Sequence, residues 1–144
     1  QYRDYAETPI EEIFSPEQLA GAVQKQLRET RSVWGENDGT GRFQLHPLPV
    51  EAQFAPVFAF AICGPDVLLG GNFFGVGPKR GRYDALPGLW LRREKQSFEP
   101  VSPASSGLNW PGETRALRWI DLGGEPLLLV ARNNAGLMVW RQKP

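Results

Sequence analysis

The chain has 144 residues, of which 41% are hydrophobic and 22% are charged, so it has the size of one ordinary domain and can bury a core. Its 16 basic residues balance 16 acidic residues, which excludes a strong net field that would recruit nucleic acid or an anionic membrane. No apolar run approaches the roughly twenty residues that a membrane-spanning helix requires. These properties favour a domain that binds a neutral ligand or another protein.

The region up to residue 30 is predicted to be a helical extension that packs on sheets. Two segments, Thr8-Pro9-Ile10-Glu11 and Ser15-Pro16-Glu17-Gln18, each place a hydroxyl at the helix N-cap, a proline at the first helical position and Glu or Gln three residues after the cap. They predict a short helical turn followed by a longer helix. The apolar face of the longer helix would repeat every four residues, at Leu19, Val23 and Leu27.

From Arg31 onward, glycine, proline and short apolar runs predict strands. Trp34 and Phe43 flank an Asp38-Gly39 turn, which is a strong hairpin signal. The runs at residues 57–62 and 67–69 are continuously apolar, which indicates strands without a solvent-exposed face. We therefore expect them to be inner strands of a sheet that is covered on both sides.

The strand pattern then repeats. Trp90 and Phe98 stand eight positions apart, close to the nine positions between Trp34 and Phe43. As in the first unit, two further apolar runs follow, at residues 116–120 and 126–130. A final apolar run at residues 137–140 resembles the first strand of a third unit.

The chain is therefore predicted to be all-β with a helical N-terminal extension, as a partial β-propeller: two four-stranded antiparallel blades plus one extra strand. The predicted parts are the helical extension (1–30), a first blade-like unit (31–72), an inter-blade crossover loop (73–87), a second blade-like unit (88–132) and the closing strand of a further blade (133–144). A propeller ring needs at least about four blades. The missing blades would come from a longer parent chain or from homo-oligomerisation, unless the units form a different β structure such as a sandwich. We expect the isolated chain to self-associate.

Several motifs occur in a characteristic order: Ser32-Val33-Trp34-Gly35-Glu36-Asn37, Gly70-Gly71-Asn72-Phe73, Gly81-Arg82-Tyr83-Asp84-Ala85, Pro111-Gly112-Glu113-Thr114-Arg115 and Ala131-Arg132-Asn133-Asn134. Together they resemble the C-terminal end of FG-GAP/VCBS-repeat β-propeller proteins, of the Bacteroidetes type near the ASPIC/UnbV group. The resemblance implies an integrin-α-like propeller that is non-enzymatic and extracellular, periplasmic or on the cell surface. The segment after Gln1 lacks a signal-peptide pattern, so we expect an excerpt or processed product, and any targeting signal would lie upstream.

Blades of this family typically carry a calcium loop of the type Asp-x-Asp-x-Asp-Gly. The corresponding turns here are Cys63-Gly64-Pro65-Asp66 and Asp121-Leu122-Gly123-Gly124-Glu125. They offer one carboxylate and two carboxylates, whereas calcium takes about six to eight oxygen ligands. We therefore predict no metal and no other cofactor in these units. Cys63 has no second cysteine or nearby histidine, so it is predicted to be a small buried hydrophobe.

The densest polar cluster lies on a glycine-framed loop, at Lys79, Arg80, Arg82, Tyr83 and Asp84. These side chains could hold a sugar or a peptide carboxylate; the structural alternative, which we favour, is an Arg82–Asp84 pair that pins the loop. Trp110 lies on another loop, where it is either a carbohydrate platform or a plug over the core. We assign these six residues as the candidate binding residues and expect the four strand tryptophans to pack in the core.

Catalytic chemistry is weakly represented. His46 has no nucleophile motif nearby, and the spacing of Asp66, Asp84, Glu113 and Asp121 does not require a catalytic pair. The sequence thus predicts no catalytic residue. It predicts a non-catalytic module that binds a ligand or acts as a scaffold, outside the cell or in the cell envelope. Its expected partners are further blades and a protein or glycan ligand, without nucleic acid or membrane insertion. The alternative is the substrate-binding portion of a carbohydrate-active enzyme, which would show two carboxylates across a solvated cleft.

Overall fold

The computed structural model describes residues 2–141, and the chain divides into two units at residues 1–30 and 31–144. The first unit contains three short helices: α1 (Tyr2–Glu7), α2 (Ile10–Ile13) and α3 (Pro16–Leu19). None of residues 2–30 is buried. No helix among the residues that the structure describes is long and apolar enough to cross a lipid bilayer.

The prediction of a longer second helix is wrong. Helix α3 ends at Leu19, and Val23 and Leu27 are 82% and 78% exposed. Gly21, one residue beyond the C-cap Ala20, disfavours continuation of the helix, and a short helix without a buried face is marginal in water. That residues 1–30 pack on the sheets stays a prediction.

The two predicted capping boxes differ in outcome. Ser15 forms its box, since its amide donates to Gln18 Oε1 at 2.9 Å and its hydroxyl accepts from the Gln18 amide at 3.4 Å. The box predicted at Thr8 is wrong. The N-cap of α2 is Pro9, which has no capping side chain, while the Thr8 hydroxyl donates to the Asp4 carbonyl in α1.

The second unit is mostly β, as predicted. Its strands are β1 (Val33–Asn37), β2 (Phe43–Pro47), β3 (Val57–Cys63), β4 (Asp66–Gly71), β5 (Leu89–Glu94), β6 (Ser97–Val101), β7 (Glu113–Leu122), β8 (Glu125–Asn133) and β9 (Met138–Trp140). Short helical turns lie at Val50–Gln53, Pro78–Arg80 and α4 (Pro103–Ser106). The described strands form three antiparallel sheets in the orders β1-β2, β3-β4-β5-β6 and β7-β8-β9. They do not form a closed propeller.

The sheets do not coincide with the predicted units, so the grouping into two four-stranded blades plus one strand is not confirmed. The four-stranded sheet combines the last two strands of the 31–72 unit with the first two strands of the 88–132 unit. Residues 73–87 join β4 to β5, which pair directly, so this loop connects neighbouring strands of one sheet rather than two blades. A repeat in the sequence gives the period but not the position at which one sheet ends. Within the predicted closing strand, residues 142–144 lie outside the described residues.

The four-stranded sheet has a core on each face. On one face, Leu69, Leu89 and Leu91 pack with the segment that follows the β1-β2 sheet, and the ring centres of Trp34 and Phe98 lie 5.7 Å apart. On the other face, Leu68 packs with Leu128 and Val130 of β8. The three sheets are thus stacked in chain order.

Strand β3 was expected to be an inner strand with both faces covered, but it is an edge strand with one solvent-exposed face. Its alternate residues Phe58, Phe60 and Ile62 are 49%, 66% and 55% exposed, whereas Ala59 and Ala61 are buried. Successive side chains of a strand point to opposite faces, so the continuous apolar run conceals an ordinary alternation.

The β3-β4-β5-β6 sheet and the β7-β8-β9 sheet each pack an equivalent face against the sheet that precedes them in the chain. The hairpins β3-β4 and β7-β8 both have two-residue turns, with Cys63 paired to Asp66 and Leu122 paired to Glu125. Superposing these turns makes Leu69 equivalent to Leu128. Leu69 belongs to the core on the side of the first sheet, and Leu128 to the core on the side of the four-stranded sheet.

Candidate functional site

The predicted polar cluster lies on the β4–β5 loop, which we define as residues 73–87. The loop narrows where Phe73 and Tyr83 pair: the Phe73 amide donates to the Tyr83 carbonyl at 2.8 Å, and the reverse bond is 3.0 Å. Beyond this bridge the helical turn Pro78–Arg80 presents Lys79 and Arg80 to solvent. The structure therefore places these basic side chains at an exposed tip that is closed at its base.

Arg82 and Asp84 do not pair, so the favoured structural explanation of this cluster is wrong. Within residues 2–141 no ion pair joins them, and the Arg82 guanidinium carbon instead lies 4.8 Å from the centre of the Phe74 ring. Cations are attracted to an aromatic face at such a distance. Tyr83 is 42% exposed and Asp84 is exposed. All five predicted side chains on this loop are accessible to a ligand.

Trp110 is not part of that surface, and its interpretation as a carbohydrate platform is wrong. It is 1% exposed, and its amide donates to the Pro87 carbonyl at 2.6 Å. Its ring packs against Gly88, where an added Cβ would lie 2.8 Å from ring carbon Cε3. The alternative of a plug over the core is confirmed. Trp34, Trp90, Trp119 and Trp140, expected in the core, are half-buried.

The β4–β5 loop is anchored by Asn72, which is 1% exposed and has a positive φ of 79°. Its side-chain amide donates to the Gly112 carbonyl at 3.0 Å and accepts from the Leu86 amide at 2.9 Å. Its own backbone amide donates to the Pro56 carbonyl at 3.0 Å. One buried side chain therefore ties both ends of the loop to a distant segment.

Glu113 completes this anchor. Its carboxylate accepts from the Phe74 amide at 2.9 Å, from the Asn133 side chain at 2.8 Å and from Arg115 at 2.6 Å. The same arginine also donates to the Asn72 carbonyl at 3.0 Å. The Phe74 N–H, followed by the Asn133 amide, holds the pKa of Glu113 below its usual value. The exposed loop thus rests on a buried hydrogen-bonded network.

We predict that Glu113→Gln destabilises the protein at neutral pH and that this difference shrinks in acid. A depressed folded-state pKa stabilises the fold above the unfolded pKa, and this contribution is lost as pH falls through the folded value. Urea unfolding of both proteins at pH 7, 5 and 3 measures the effect, with the difference expected to diminish below about pH 4. A difference that stays constant over this range would contradict the assignment.

The sequence did not reveal the network because its members are far apart in the chain. Asn72 and Asn133 each follow an apolar strand, where asparagine commonly closes a turn. Asn72 and Gly112 are 40 residues apart, and no local periodicity links them. The available signal was a polar residue directly after an apolar strand, since buried polar groups require partners.

The other acidic side chains that were weighed for catalysis have separate surroundings. Asp66 accepts from the Trp90 indole at 2.8 Å and from the Arg93 amide at 3.0 Å. Asp121 accepts from the Gly124 amide at 2.8 Å in the β7-β8 turn. Three cavities, of about 660, 510 and 340 Å³, are each lined by at most one carboxylate residue. None of these three shows the paired carboxylates of a glycosidase.

Two further side chains with chemical potential are the single histidine and the single cysteine. His46 stacks on Trp34 with ring centres 4.6 Å apart, and its Nε2 lies 3.5 Å from the Glu36 carboxylate. Cys63 is half-buried rather than buried, and burial, with a smaller contribution from Asp66, raises the pKa of its thiol. No group of three His, Cys, Asp or Glu among residues 2–141 is placed to hold a metal ion.

No protein-family model, curated protein or solved structure matches this chain. The resemblance to FG-GAP/VCBS-repeat proteins therefore stays a prediction.

Proposed function

We propose that residues 31–144 are part of a β-propeller-type blade array that acts as a non-catalytic binding or scaffold module, outside the cell or in its envelope. Further blades, from a parent chain or from other copies, are its partners. The observation that carries this proposal is the repeated stacking of sheets through equivalent faces. A propeller or solenoid grows by such repetition, because each unit contacts only its neighbours.

The two ends of the stack leave apolar faces uncovered. In the first sheet, Trp34 and its partner His46 face the four-stranded sheet, whereas Phe43 and Leu45 on the opposite face are 64% and 58% exposed. In the third sheet, Val139 is 58% exposed on the face opposite Trp140. Apolar residues grouped on a free sheet face favour association with another sheet. Further blades would cover both ends.

A glycan or protein ligand would meet the exposed side chains of the β4–β5 loop in this proposal. Lys79, Arg80 and Arg82 supply cations, and Tyr83 and Asp84 supply hydrogen-bonding groups. The buried anchor supports the proposal because a preorganised loop loses less entropy when a ligand binds. The assignment of these five residues to a ligand stays a prediction.

We expect the isolated chain to form a discrete oligomer, because its open sheet faces associate. Multi-angle light scattering over a range of protein concentrations measures its mass. The double variant Phe43→Lys with Val139→Lys should shift the population toward monomer, since it places a charge on each open face. The control Leu122→Lys replaces a residue that is 67% exposed at the β7-β8 turn and should leave the mass unchanged. A wild-type monomer with an intact β-sheet circular dichroism spectrum would contradict the proposal.

A further inference from the structure

The largest of the three cavities lies away from the β4–β5 loop and has no role in the proposed assembly. Its volume is about 660 Å³, within the roughly 300–1,000 Å³ of typical small-molecule sites. Its lining includes Trp90, Arg92 and Val101 from strands β5 and β6 and residues 104–107 from α4 and the position after it. Trp140 of β9 and the following residue, Arg141, complete the lining. It therefore combines two aromatic rings, two guanidinium groups and the hydroxyls of two serines.

The aromatic wall is rigid. The rings of Trp90 and Trp140 meet edge to face, with centres 6.1 Å apart and planes 82° apart. The Trp90 indole donates to Asp66 at 2.8 Å, and Trp140 also packs against Trp110 and Trp119. Both rings are half-buried, so each retains surface toward the cavity. Fixed aromatic surface of this kind can pack against the apolar face of a ring-shaped ligand at low entropic cost.

The charge of the cavity lining is positive. No carboxylate lines it, and the Arg141 guanidinium group forms an exposed ion pair with the Glu125 carboxylate at 2.8 Å. Arg92 is exposed and lies opposite Glu99 of β6, with which it forms no ion pair within residues 2–141. A guanidinium group with free donors binds a carboxylate in a bidentate geometry. The cavity thus places the Arg92 guanidinium group next to two aromatic rings that meet edge to face.

The serines add neutral hydrogen-bonding groups to the lining. The Ser106 hydroxyl accepts from the Leu108 amide at 3.3 Å, so its own O–H can donate to a ligand. The Ser105 hydroxyl shares a hydrogen bond of 2.9 Å with Ser102. Hydroxyl groups on a ligand can exchange hydrogen bonds with both.

We propose that this cavity binds a uronic-acid sugar. The apolar face of the sugar ring lies against the tryptophans, its carboxylate pairs with Arg92, and its hydroxyls bond to Ser105 and Ser106. The inference gives the binding module a ligand chemistry, but it rests on the cavity and not on the stacking of sheets. A failure of the assembly experiment would therefore not contradict this ligand proposal. A failure of the binding experiment would likewise not contradict the assembly proposal.

Isothermal titration calorimetry of the full chain with three probes tests the proposal: a galacturonic acid tetramer, the galacturonic acid monomer and a neutral galactose tetramer. We expect saturable binding of the acidic tetramer and at least about tenfold weaker binding of the neutral one, the loss expected when one charged hydrogen-bonding interaction is absent. Comparison of the acidic tetramer with the monomer separates a glycan chain from a free sugar acid as the source of the ligand. Equal binding of the neutral and acidic tetramers, or no binding of either acidic probe, would overturn the proposal.

Two variants locate the site. Arg92→Gln should weaken binding of the acidic tetramer about tenfold or more, whereas Arg118→Gln, on an exposed residue of β7 outside the cavity lining, should not change it. Ala104→Trp fills the cavity from its exposed rim and should abolish binding while circular dichroism remains unchanged. If binding survives both Arg92→Gln and Ala104→Trp, the ligand does not occupy this cavity.

Discussion

Replacing Trp110 with alanine is expected to destabilise the protein by about 3–5 kcal/mol, the usual cost of deleting a large aromatic side chain from a packed core. The ring is 1% exposed and packs with Leu68, Leu128 and Val130. Its buried Nε1 has no hydrogen-bond partner among the described residues, so packing rather than hydrogen bonding provides its contribution. Urea unfolding followed by circular dichroism, at one fixed protein concentration, measures the free energy of unfolding.

The matched control is Tyr83→Ala. Tyr83 and Trp110 are the two aromatic residues among the predicted binding residues, and both lie on loops. Tyr83 is 42% exposed, and its recorded hydrogen bonds to Phe73 use only the backbone. The expected loss is therefore below about 1 kcal/mol. If both variants lost the same stability, the assignment of Trp110 as the plug over the core would be wrong.

Replacing Asn72 with alanine is expected to cost about 2–4 kcal/mol. The change removes two side-chain hydrogen bonds and leaves the Leu86 amide and the Gly112 carbonyl without their partner. Each unsatisfied buried group costs about 1–3 kcal/mol. Alanine also adopts the positive φ of this position less readily than asparagine does.

Asn134→Ala separates the backbone effect from the hydrogen bonds. Asn134 also has a positive φ, of 51°, but it is exposed. Its replacement should cost at most about 1–2 kcal/mol, as measured by the same urea unfolding. Equal losses for the two variants would show that the backbone conformation, and not the buried network, makes Asn72 important.

The sequence was informative where a structural element depends on neighbouring residues. The Ser15 capping box needs only four adjacent residues, and it forms. The two-residue turns that follow Cys63 and Leu122 depend on local chemistry, and they form tight hairpins. Antiparallel strands with alternating or continuous apolar runs were likewise predictable, because burial of one or both faces imposes these patterns.

The sequence was uninformative where partners are distant. The grouping of strands into sheets depends on hydrogen bonds between β4 and β5, which are separated by a loop. The sequence repeat is compatible with β4 and β5 lying in the same sheet or in different sheets. The burial of Trp110 depends on packing against strands that lie far before and after it in the chain. The cavity beside Trp90 and Arg92 depends on Trp140, which a periodicity argument treats only as part of another strand.

The division of the four-stranded sheet between two sequence repeats has a consequence for folding cooperativity. The first repeat contributes β3 and β4 and the second repeat contributes β5 and β6, so neither repeat contains the whole of the central sheet. Cutting the chain near residue 88 would separate β4 from β5 and expose both faces of the central sheet at once. Residues 31–144 are therefore expected to fold and unfold as one cooperative block, with the β4–β5 loop as the covalent link that keeps the two halves at high effective concentration.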